Sequence, residues 1–282
     1  MRSPNGEIDR MANNPMRLAL VIGNSRLHWV LLSRETIMAT WDTEHVDQTA
    51  IASLFSQSDS LGALLQLAPQ ELQQQMSIPP PLLIASVVPE QTERWRQHIP
   101  AHLITLDQIP LQGLYSSMGI DRALAVFGAG QIYGFPNMVI DGGTALTLTG
   151  VDGDRRIIGG AILPGLRLQG RSLTQQTATL PDIEFSLATE LSTQSSSTAE
   201  PIPRWATTTA AAIRSGIVHT VLSGIRDFVD DWQRLYPESP VLLTGGDGAF
   251  LQQHIHSQFH HLDNAIHFDA ALTFKGVQAL LT

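Results

Sequence analysis

The sequence predicts an α/β protein built of two domains, each with a sheet flanked by helices. Strand-like and helix-like segments alternate along both halves of the chain, which is typical of α/β folds. Both halves begin with an apolar strand that runs through a glycine turn into a second strand, which indicates an internal duplication. The 282 residues, of which 43% are hydrophobic, suffice for two cores. We therefore expect domains at residues 17–136 and 137–282.

The hairpin that opens the second half carries the residues most suggestive of chemistry. An apolar strand ends at Ile140, and an alternating strand follows the sequence Asp141-Gly142-Gly143-Thr144. Glycines allow consecutive backbone N–H groups to surround an anion, so that Asp141 would face a cation and Thr144 a phosphate oxygen. Asp-Gly and Gly-Gly are equally typical of ordinary hairpin turns. The motif alone therefore leaves a phosphate site and a plain turn open.

A weaker copy of this hairpin lies near the start of the chain. The strand at 18–22 leads into a glycine turn at 23–25, and residues 27–32 form the returning strand. Val21 occupies the position that Asp141 has in the second copy, so the copy is imperfect. Two such hairpins at the heads of two halves favour duplicated domains that close on one nucleotide.

The remaining elements of the first half follow from periodicity and from proline. A Gln- and Leu-rich stretch predicts one helix, which three consecutive prolines end. The continuous apolar run after them is typical of a buried parallel strand, and Pro89 suits the first turn of the next helix. In order, we predict a strand at 37–41, a helix at 49–76, a strand at 82–88, a helix at 89–98, a strand at 102–106, a loop at 112–119 and a helix at 122–133.

The second half repeats this succession. Alternation predicts a third strand after the hairpin, and a short apolar run predicts a buried strand between helices. The segment 191–209 is dominated by Ser and Thr and therefore predicts a mobile loop. In order, we predict a strand at 156–162, helices at 164–175 and 209–235, a strand at 241–244, and helices at 248–256 and 269–281.

Composition argues against several classes of function. A formal net charge of -9 without a basic stripe argues against binding to nucleic acid. The chain has no cysteine, hence neither disulfides nor a thiol nucleophile, and no apolar run is long enough to span a bilayer. We expect a cytoplasmic protein that binds neither nucleic acid nor membrane. Residues 1–16 predict a disordered leader, in which Met11 or Met16 could be the start.

Several short motifs make the chain resemble the type III pantothenate kinases, a family of the acetate and sugar kinase, Hsp70 and actin superfamily. The resemblance extends over nearly the whole chain and rests on the order and spacing of the motifs. They are Gly23-Asn24-Ser25, Ala85-Ser-Val-Val-Pro89, Gly119-Ile-Asp-Arg122, Asp141-Gly-Gly-Thr144, Gly159-Gly-Ala-Ile-Leu-Pro-Gly165, Leu180-Pro181, Thr209, Ala212-Ile-Arg-Ser-Gly216 and Thr244-Gly-Gly246.

The resemblance implies two ribonuclease-H-like (actin-like ATPase) domains, each a mixed sheet flanked by helices, in a homodimer. It implies ATP-dependent phosphorylation of pantothenate to 4'-phosphopantothenate, the first step of coenzyme A biosynthesis. Mg2+ and a monovalent cation, K+ or NH4+, accompany ATP in that family.

The family assigns the motif at 119–122 to the acceptor substrate. Asp121 is implied to be the general base and Arg122 to bind the substrate carboxylate, while Gly119 and Ile120 line the same site. Ordinary physics offers alternatives, because Asp is a favoured helix N-cap and Arg often forms surface ion pairs.

Two further residues are implied to reach the acceptor. The family places a tyrosine upstream of the motif, which points to Tyr115, although the spacing here is shorter. Thr209 matches a threonine that reaches the substrate across the dimer interface. Helix capping by Thr209 is the competing interpretation.

The nucleotide residues are likewise implied by the family. The first turn and the hydroxyl of the second turn would contact the phosphates, the glycines after the strand at 241–244 would let adenosine approach the backbone, and one carboxylate would bind the monovalent cation. These residues are Gly23, Asn24, Ser25, Thr144, Gly245 and Gly246 for ATP, and Asp141 for the metal.

Val21 departs from the family pattern, which has an aspartate there. Valine offers no oxygen to a hard cation. Either the phosphates, water and Asp141 hold the metal alone, another carboxylate replaces the missing one, or catalysis is lost. The last option would make the chain a non-catalytic regulatory homologue resembling the Bordetella accessory factor. Another small-molecule kinase of the superfamily, acting on acetate or a sugar, is a second alternative.

Five histidines near the end of the chain could suggest a transition-metal site. His254 and His256 are two residues apart, which places them on different faces of a helix. We therefore expect histidines on a surface helix, and no metal site among His254, His256, His260, His261 and His267.

Overall fold

The computed structural model describes residues 16–57, 64, 66–75, 81–185, 202–259, 262 and 265–281. These residues form two compact units. The first unit contains the described residues up to Pro110, Leu114–Gln131 and those from Thr273 onward, and the second contains Leu111–Gly113 and Ile132–Leu272. The predicted leader lies outside the described residues except for Met16, which already belongs to a strand.

The first unit contains a five-stranded mixed sheet. Its central strand is bonded antiparallel to its hairpin partner on one side and parallel to the next strand on the other. Apolar residues fill most of the central strand because both of its faces are covered. The strands are β1 Met16–Ile22, β2 Leu27–Ser33, β3 Ile37–Thr43, β4 Leu82–Ser86 and β5 Ala101–Leu103, in the order β3-β2-β1-β4-β5.

The second unit repeats this topology. Its strands are β6 Asn137–Gly142, β7 Ala145–Val151, β8 Ile157–Pro164, β9 Val241–Thr244 and β10 Ile266–Phe268, in the order β10-β9-β6-β7-β8. The first strand of the unit is again central, antiparallel to the second and parallel to the fourth. The predicted fold class, two mixed sheets flanked by helices, is therefore confirmed.

Helices cover these sheets. Among the described residues they are α1 Gln48–Gln57, α2 Gln70–Gln75, α3 Pro89–Arg96, α4 Ile120–Tyr133, α5 Leu166–Gln176, α6 Thr209–Leu235, α7 Gly248–Gln258 and α8 Leu272–Ala279. No helix of the described ranges is long and apolar enough to cross a membrane.

Each unit has its own apolar core. In the first, Trp29 of β2 is fully buried, stacked on Trp41 with ring centroids 6.1 Å apart and in edge contact with Trp95 at 5.4 Å. In the second, α6 buries a stripe at helical spacing that includes Val218, Leu222, Ile225 and Val229.

The last helix, α8, belongs to the first unit from Thr273 onward, whereas the expected domains place all residues after 136 in the second. Gly276 of α8 lies so close to the backbone of Leu124 in α4 that a Cβ at this position would overlap with the Leu124 carbonyl. Gln278 also donates to the Ser33 carbonyl at 3.1 Å. The chain therefore returns to the first unit after completing the second.

Most predicted elements are present, and a few predictions are wrong for identifiable reasons. The single helix predicted at 49–76 is interrupted, because residues 66–69 form a turn that ends at Pro69. The strand predicted at 102–106 stops at Leu103, after which a single turn of 3-10 helix begins. Strand β10 has only three residues and was not predicted. Most of the Ser- and Thr-rich segment lies outside the described residues.

Candidate active site

The start of α4 holds the predicted general base. The helix begins at Ile120, so Asp121 is its second residue and not its N-cap. The Asp121 carboxylate accepts a hydrogen bond from the backbone N–H of Arg122 at 2.8 Å. Burial raises the pKa of Asp121, and the Arg122 backbone N–H together with the charges of Arg122 and His28 partly oppose this. The carboxylate is thus fixed and more basic than an ordinary aspartate.

Gly119 is required by the position of that carboxylate. A Cβ built at Gly119 would overlap with Oδ1 of Asp121 and would contact Val87 at 3.5 Å. The glycine therefore lets the side chain of Asp121 fold back over the entry to the helix. The following Ile120 is buried and anchors the helix start.

Arg122 and Tyr115 come together next to this carboxylate. The side chain of Arg122 is buried, with 8% of the residue exposed, and its Nη1 donates to the hydroxyl of Tyr115 at 3.1 Å. Tyr115 is 44% exposed. The shortened spacing thus still brings the tyrosine to the arginine, and the burial of Arg122 argues against a surface ion pair.

A cavity of about 590 Å³ opens beside the helix start within the first unit. Its walls are the loop after β4, one face of α3, residues 103–106 and the loop 116–120. Gly119 and Ile120 belong to this lining, which also includes the polar side chains of Thr92 and Arg96. The predicted acceptor motif therefore contributes Gly119 and Ile120 to the wall of this cavity, whereas Asp121 and Arg122 are not among its lining residues.

The first glycine turn joins β1 to β2. The N–H of Gly23 is bonded to the Arg26 carbonyl at 3.0 Å, and Asn24 and Ser25 are exposed at the tip. His45 donates from Nε2 to the Gly23 carbonyl at 2.8 Å, so a side chain from beyond β3 braces the turn.

His28 and Asp42 border the same turn and were missed in the sequence. His28 lies opposite Val21 in the β1–β2 ladder, and its Nδ1 is 2.8 Å from Oδ1 of Asp42. The position of His28 could have been found, because a four-residue turn between Ile22 and Leu27 fixes the register of the hairpin.

The second glycine turn joins β6 to β7 and packs against two other glycines. A Cβ at Gly165 would overlap with the carbonyls of the turn, whose Thr144 carbonyl accepts from the Gly165 N–H at 2.9 Å. Gly245 has φ +87, and a Cβ there would overlap with Oδ1 of Asp141. The predicted metal ligand and the first of the two predicted adenosine glycines are therefore in contact. Gly246 is exposed, and a Cβ there would meet no described atom within 4 Å.

A second carboxylate, that of Asp247, belongs to a residue that packs against Gly142 of the second glycine turn, and the sequence did not point to it. Asp247 precedes α7, and its backbone N–H bonds to the Gly142 carbonyl at 2.8 Å. Burial raises the pKa of Asp247, while Arg167, 4.0 Å away, opposes the increase.

No group of three or more metal-binding side chains occurs in the described part of the chain. Asp141 supplies the oxygen chemistry that a hard cation prefers. A cation held by Asp141 would have to take its other ligands from phosphate, water or backbone oxygens.

Thr209 is the first residue of α6. Thr208, and not Thr209, caps α6 by accepting from the Ala211 N–H at 3.3 Å, so capping does not account for the exposed Thr209.

The expectation of surface histidines is wrong for His254, which is 1% exposed, whereas His256 is exposed.

The duplicated mixed sheet and the glycine turns define the class of the protein, that of the actin-like ATPase and sugar kinase fold. A solved structure described as a Baf family transcriptional activator from Campylobacter jejuni matches with a TM-score of 0.54 and 20% identity, over 94% of this chain and 96% of that chain. Component A of (R)-2-hydroxyglutaryl-CoA dehydratase from Acidaminococcus fermentans matches with a TM-score of 0.51 and 14% identity, over 95% and 97%. At these identities the likeness extends to the fold alone.

Sequence relationships identify the family. The family model described as type III pantothenate kinase matches residues 17–231. A type III pantothenate kinase from a Nostoc species is 41% identical over 94% of each chain, and one from a Synechocystis species is 42% identical over 93% of this chain and 89% of its own. The chain belongs to the type III pantothenate kinase family.

Proposed function

We propose that the protein transfers a phosphoryl group from ATP to pantothenate, which is the first step of coenzyme A biosynthesis. The observation that carries this proposal is the cluster at the start of α4, where a fixed, partly buried carboxylate adjoins a buried guanidinium. Phosphoryl transfer to an alcohol requires an acceptor for the hydroxyl proton and a way to hold the alcohol in line. The cluster provides both groups on consecutive residues, Asp121 and Arg122.

Asp121 acts as the general base in this proposal. It takes the proton from the primary hydroxyl of pantothenate as the oxygen attacks the γ-phosphorus and the bond from that phosphorus to the β–γ bridging oxygen breaks, which releases ADP. Because burial raises its pKa, the ionised carboxylate is a better proton acceptor than an exposed aspartate. The backbone N–H of Arg122 keeps one of its oxygens in place.

Arg122 binds the carboxylate of pantothenate. A guanidinium offers several donors in one plane, which suits a carboxylate, and the Tyr115 hydroxyl fixes its orientation. The cavity beside Gly119 and Ile120 would hold the rest of the acceptor. These assignments account for why the tyrosine, the glycine and the isoleucine lie around the arginine and the base.

Residues of the glycine turns bind the nucleotide in this proposal. Gly23, Asn24, Ser25 and Thr144 bind phosphate through backbone N–H groups, amide and hydroxyls, and Gly245 and Gly246 let adenosine approach the backbone. Asp141 would ligate a cation. When bound, Mg2+ neutralises charge on the phosphates and a monovalent cation, K+ or NH4+, adds to that effect. Since Val21 has no oxygen, the phosphates and water supply the remaining ligands.

We further propose a cytoplasmic homodimer in which Thr209 contributes to the partner's acceptor site. The exposure of Thr209, with the capping role taken by Thr208, leaves its hydroxyl available for such a contact. Nucleic acid and membrane are not expected among the partners. Sedimentation of the purified chain, together with turnover of Thr209→Ala, tests this part separately.

The regulatory alternative is not favoured. The match to a transcriptional activator is one of fold at 20% identity, whereas the pantothenate kinase relatives are about twice as similar. Acetate and sugar kinases of the same fold differ from this proposal in their acceptor, so the assay must include acetate and a sugar as acceptors.

Formation of ADP and of phosphorylated product tests the proposal. The protein is incubated with ATP and Mg2+, with and without K+ or NH4+, and with pantothenate, acetate or a hexose as acceptor. We expect pantothenate-dependent ADP release and a new phosphomonoester signal in the phosphorus NMR spectrum. Turnover with acetate or a hexose instead, or none with any acceptor and cation, would overturn the proposal.

A further inference from the structure

A row of side chains crosses the sheet of the first unit where the family's first aspartate is missing. Val21 of β1 is paired with His28 of β2, and His28 is paired with Asp42 of β3. Residues directly opposite each other in a ladder project from the same face of a sheet. The missing carboxylate of β1 is therefore replaced, one and two strands away, by an imidazole and a carboxylate.

The imidazole of His28 is oriented by Asp42. Its Nδ1 lies 2.8 Å from Oδ1 of Asp42, and because an ionised carboxylate only accepts, Nδ1 carries the hydrogen. The hydrogen bond from His28 lowers the pKa of Asp42, which keeps this carboxylate ionised. The second ring nitrogen, Nε2, is thereby fixed in direction.

Nε2 of His28 is directed at the first glycine turn. It would lie 3.4 Å from a Cβ built on Gly23, and it makes no hydrogen bond to any residue of the described ranges. The ring and its partner are 40% and 47% exposed, so the pair contributes little to stability as a surface ion pair. A half-exposed ring whose Nε2 lies beside a glycine turn can donate to an anionic ligand once that nitrogen is protonated.

The charged groups around the ring are few. Asp42 faces it from β3 and Asp121 from α4, and Arg26 lies near Asp42 at the end of the turn. His45 approaches the turn itself through the Gly23 carbonyl. When it is protonated, His28 lowers the pKa of Asp121 against the larger effect of burial.

We propose that His28, oriented by Asp42, binds a phosphate group of the nucleotide at the turn formed by Gly23, Asn24 and Ser25. Phosphate oxygens only accept hydrogen bonds, so the bound nucleotide selects the imidazolium, whose Nε2–H donates to it. The imidazolium supplies positive charge at the turn whose neighbouring strand carries valine in place of an acidic residue. This role rests on the proposed function, because it assumes that ATP binds at this turn.

Calorimetric titration with ADP and with the non-hydrolysable analogue adenylyl imidodiphosphate tests the proposal. His28→Asn loses the donor at the Nε2 position and should raise the Kd about 10- to 100-fold, the effect of one charge-assisted hydrogen bond. His28→Gln keeps a neutral donor near that position and should lose less affinity. His98→Asn, which removes an imidazole that stacks on Phe55 in the same unit, is the matched control and should bind like the wild type.

Proton linkage separates phosphate binding from a structural role. Wild-type binding should weaken as rising pH removes the second proton of the imidazole, because the Nε2–H donor is then lost, and it should take up a proton where the free ring is neutral, measured as the dependence of the binding heat on buffer ionisation. Both effects should disappear in His28→Gln. Asp42→Asn, a change in the positioning residue, should weaken binding and reduce the proton uptake while the chain stays folded by circular dichroism.

The outcomes distinguish this proposal from the proposed function. If the wild type phosphorylates pantothenate but His28→Asn binds both nucleotides with unchanged Kd, the role of His28 is refuted and the function stands. The role is also refuted if the pH dependence of the nucleotide Kd is the same in the wild type and in His28→Gln. If His28→Asn loses nucleotide affinity and proton uptake while the wild type does not phosphorylate pantothenate, the role of His28 stands and the function fails.

Discussion

The substitution Gly119→Ala should impair catalysis through the neighbouring side chain. Gly119 has no positive φ, so alanine is compatible with the backbone, but its Cβ would overlap with Oδ1 of Asp121. Relief of the overlap requires the carboxylate to move by about 1 Å, and displacements of that size cost on the order of 100-fold in rate. We therefore expect kcat to fall about 100-fold, with little change in the KM for ATP.

The effect on stability should be small, which allows the two effects to be separated. Displacing the carboxylate removes its hydrogen bond from the Arg122 N–H, worth about 1.5–3 kcal/mol. The lower chain entropy of alanine in the unfolded state returns about 0.4–1 kcal/mol. The net loss of about 0.5–2.6 kcal/mol is measurable by urea unfolding. Gly216→Ala, within α6 and with open space around the new Cβ, is the matched control and should keep full activity.

A double-mutant cycle decides whether the carboxylate transmits the effect. If Gly119 acts only through Asp121, then adding Gly119→Ala to Asp121→Asn should cause no further loss of kcat. The reasoning is refuted if Gly119→Ala turns over at the wild-type rate, or if the two rate effects multiply. The measurement is a coupled assay of ADP release at saturating ATP and pantothenate.

Three further predictions concern the same two units. Asp121→Asn should fold normally and lose about 10²- to 10⁴-fold in kcat, and activity that persists in this variant would exclude Asp121 as the base. Because the raised pKa lets Asp121 take up a proton at a higher pH than an ordinary aspartate does, the acid limb of the wild-type rate profile should shift to higher pH. Arg122→Lys should raise the KM for pantothenate about 10-fold or more, and Tyr115→Phe should raise it less. Equal KM values in the wild type and both variants would contradict the assignment of Arg122 to the carboxylate of pantothenate. Gly245→Ala should destabilise the fold by about 2 kcal/mol or more in thermal unfolding, because φ is +87 and the new Cβ would overlap with the backbone of Gly142. Gly246→Ala should change the stability by no more than about 0.5 kcal/mol but should weaken ATP binding.

The strands and helices were predictable wherever local signals agreed with the tertiary structure. Helix α6 occupies the predicted range because its apolar stripe is long and strictly helical. Strand β10 escaped prediction, because three residues contain too little periodicity and their strand conformation depends on pairing with β9. The position of α8 in the first unit depends on the close approach of Gly276 to α4, which no local pattern encodes.

The candidate site was predictable as a set of positions but not as a set of contacts. The motif at 119–122 indicated a base and an arginine, yet the need for glycine at 119 depends on the rotamer of Asp121. Asp247 was missed because an acidic residue before a helix resembles an ordinary cap, although its side chain makes no capping hydrogen bond. Its significance comes from burial and from the nearby Arg167, which only the folded chain reveals.

The two copies of the sheet place their polar residues differently at corresponding positions. In the second unit, Asp141 on the first strand is followed across the sheet by Thr147 and an isoleucine on β8. In the first unit, Val21 is followed by His28 and Asp42. The acidic residue thus lies on the first strand in the second unit but on the third strand in the first unit, where His28 lies between Asp42 and Val21. A carboxylate beside a phosphate requires an intervening metal, whereas an imidazolium can bind phosphate directly. Valine at position 21, where the family resemblance implies an aspartate, is therefore compatible with a catalytic protein, because His28 would offer phosphate a proton donor at this turn.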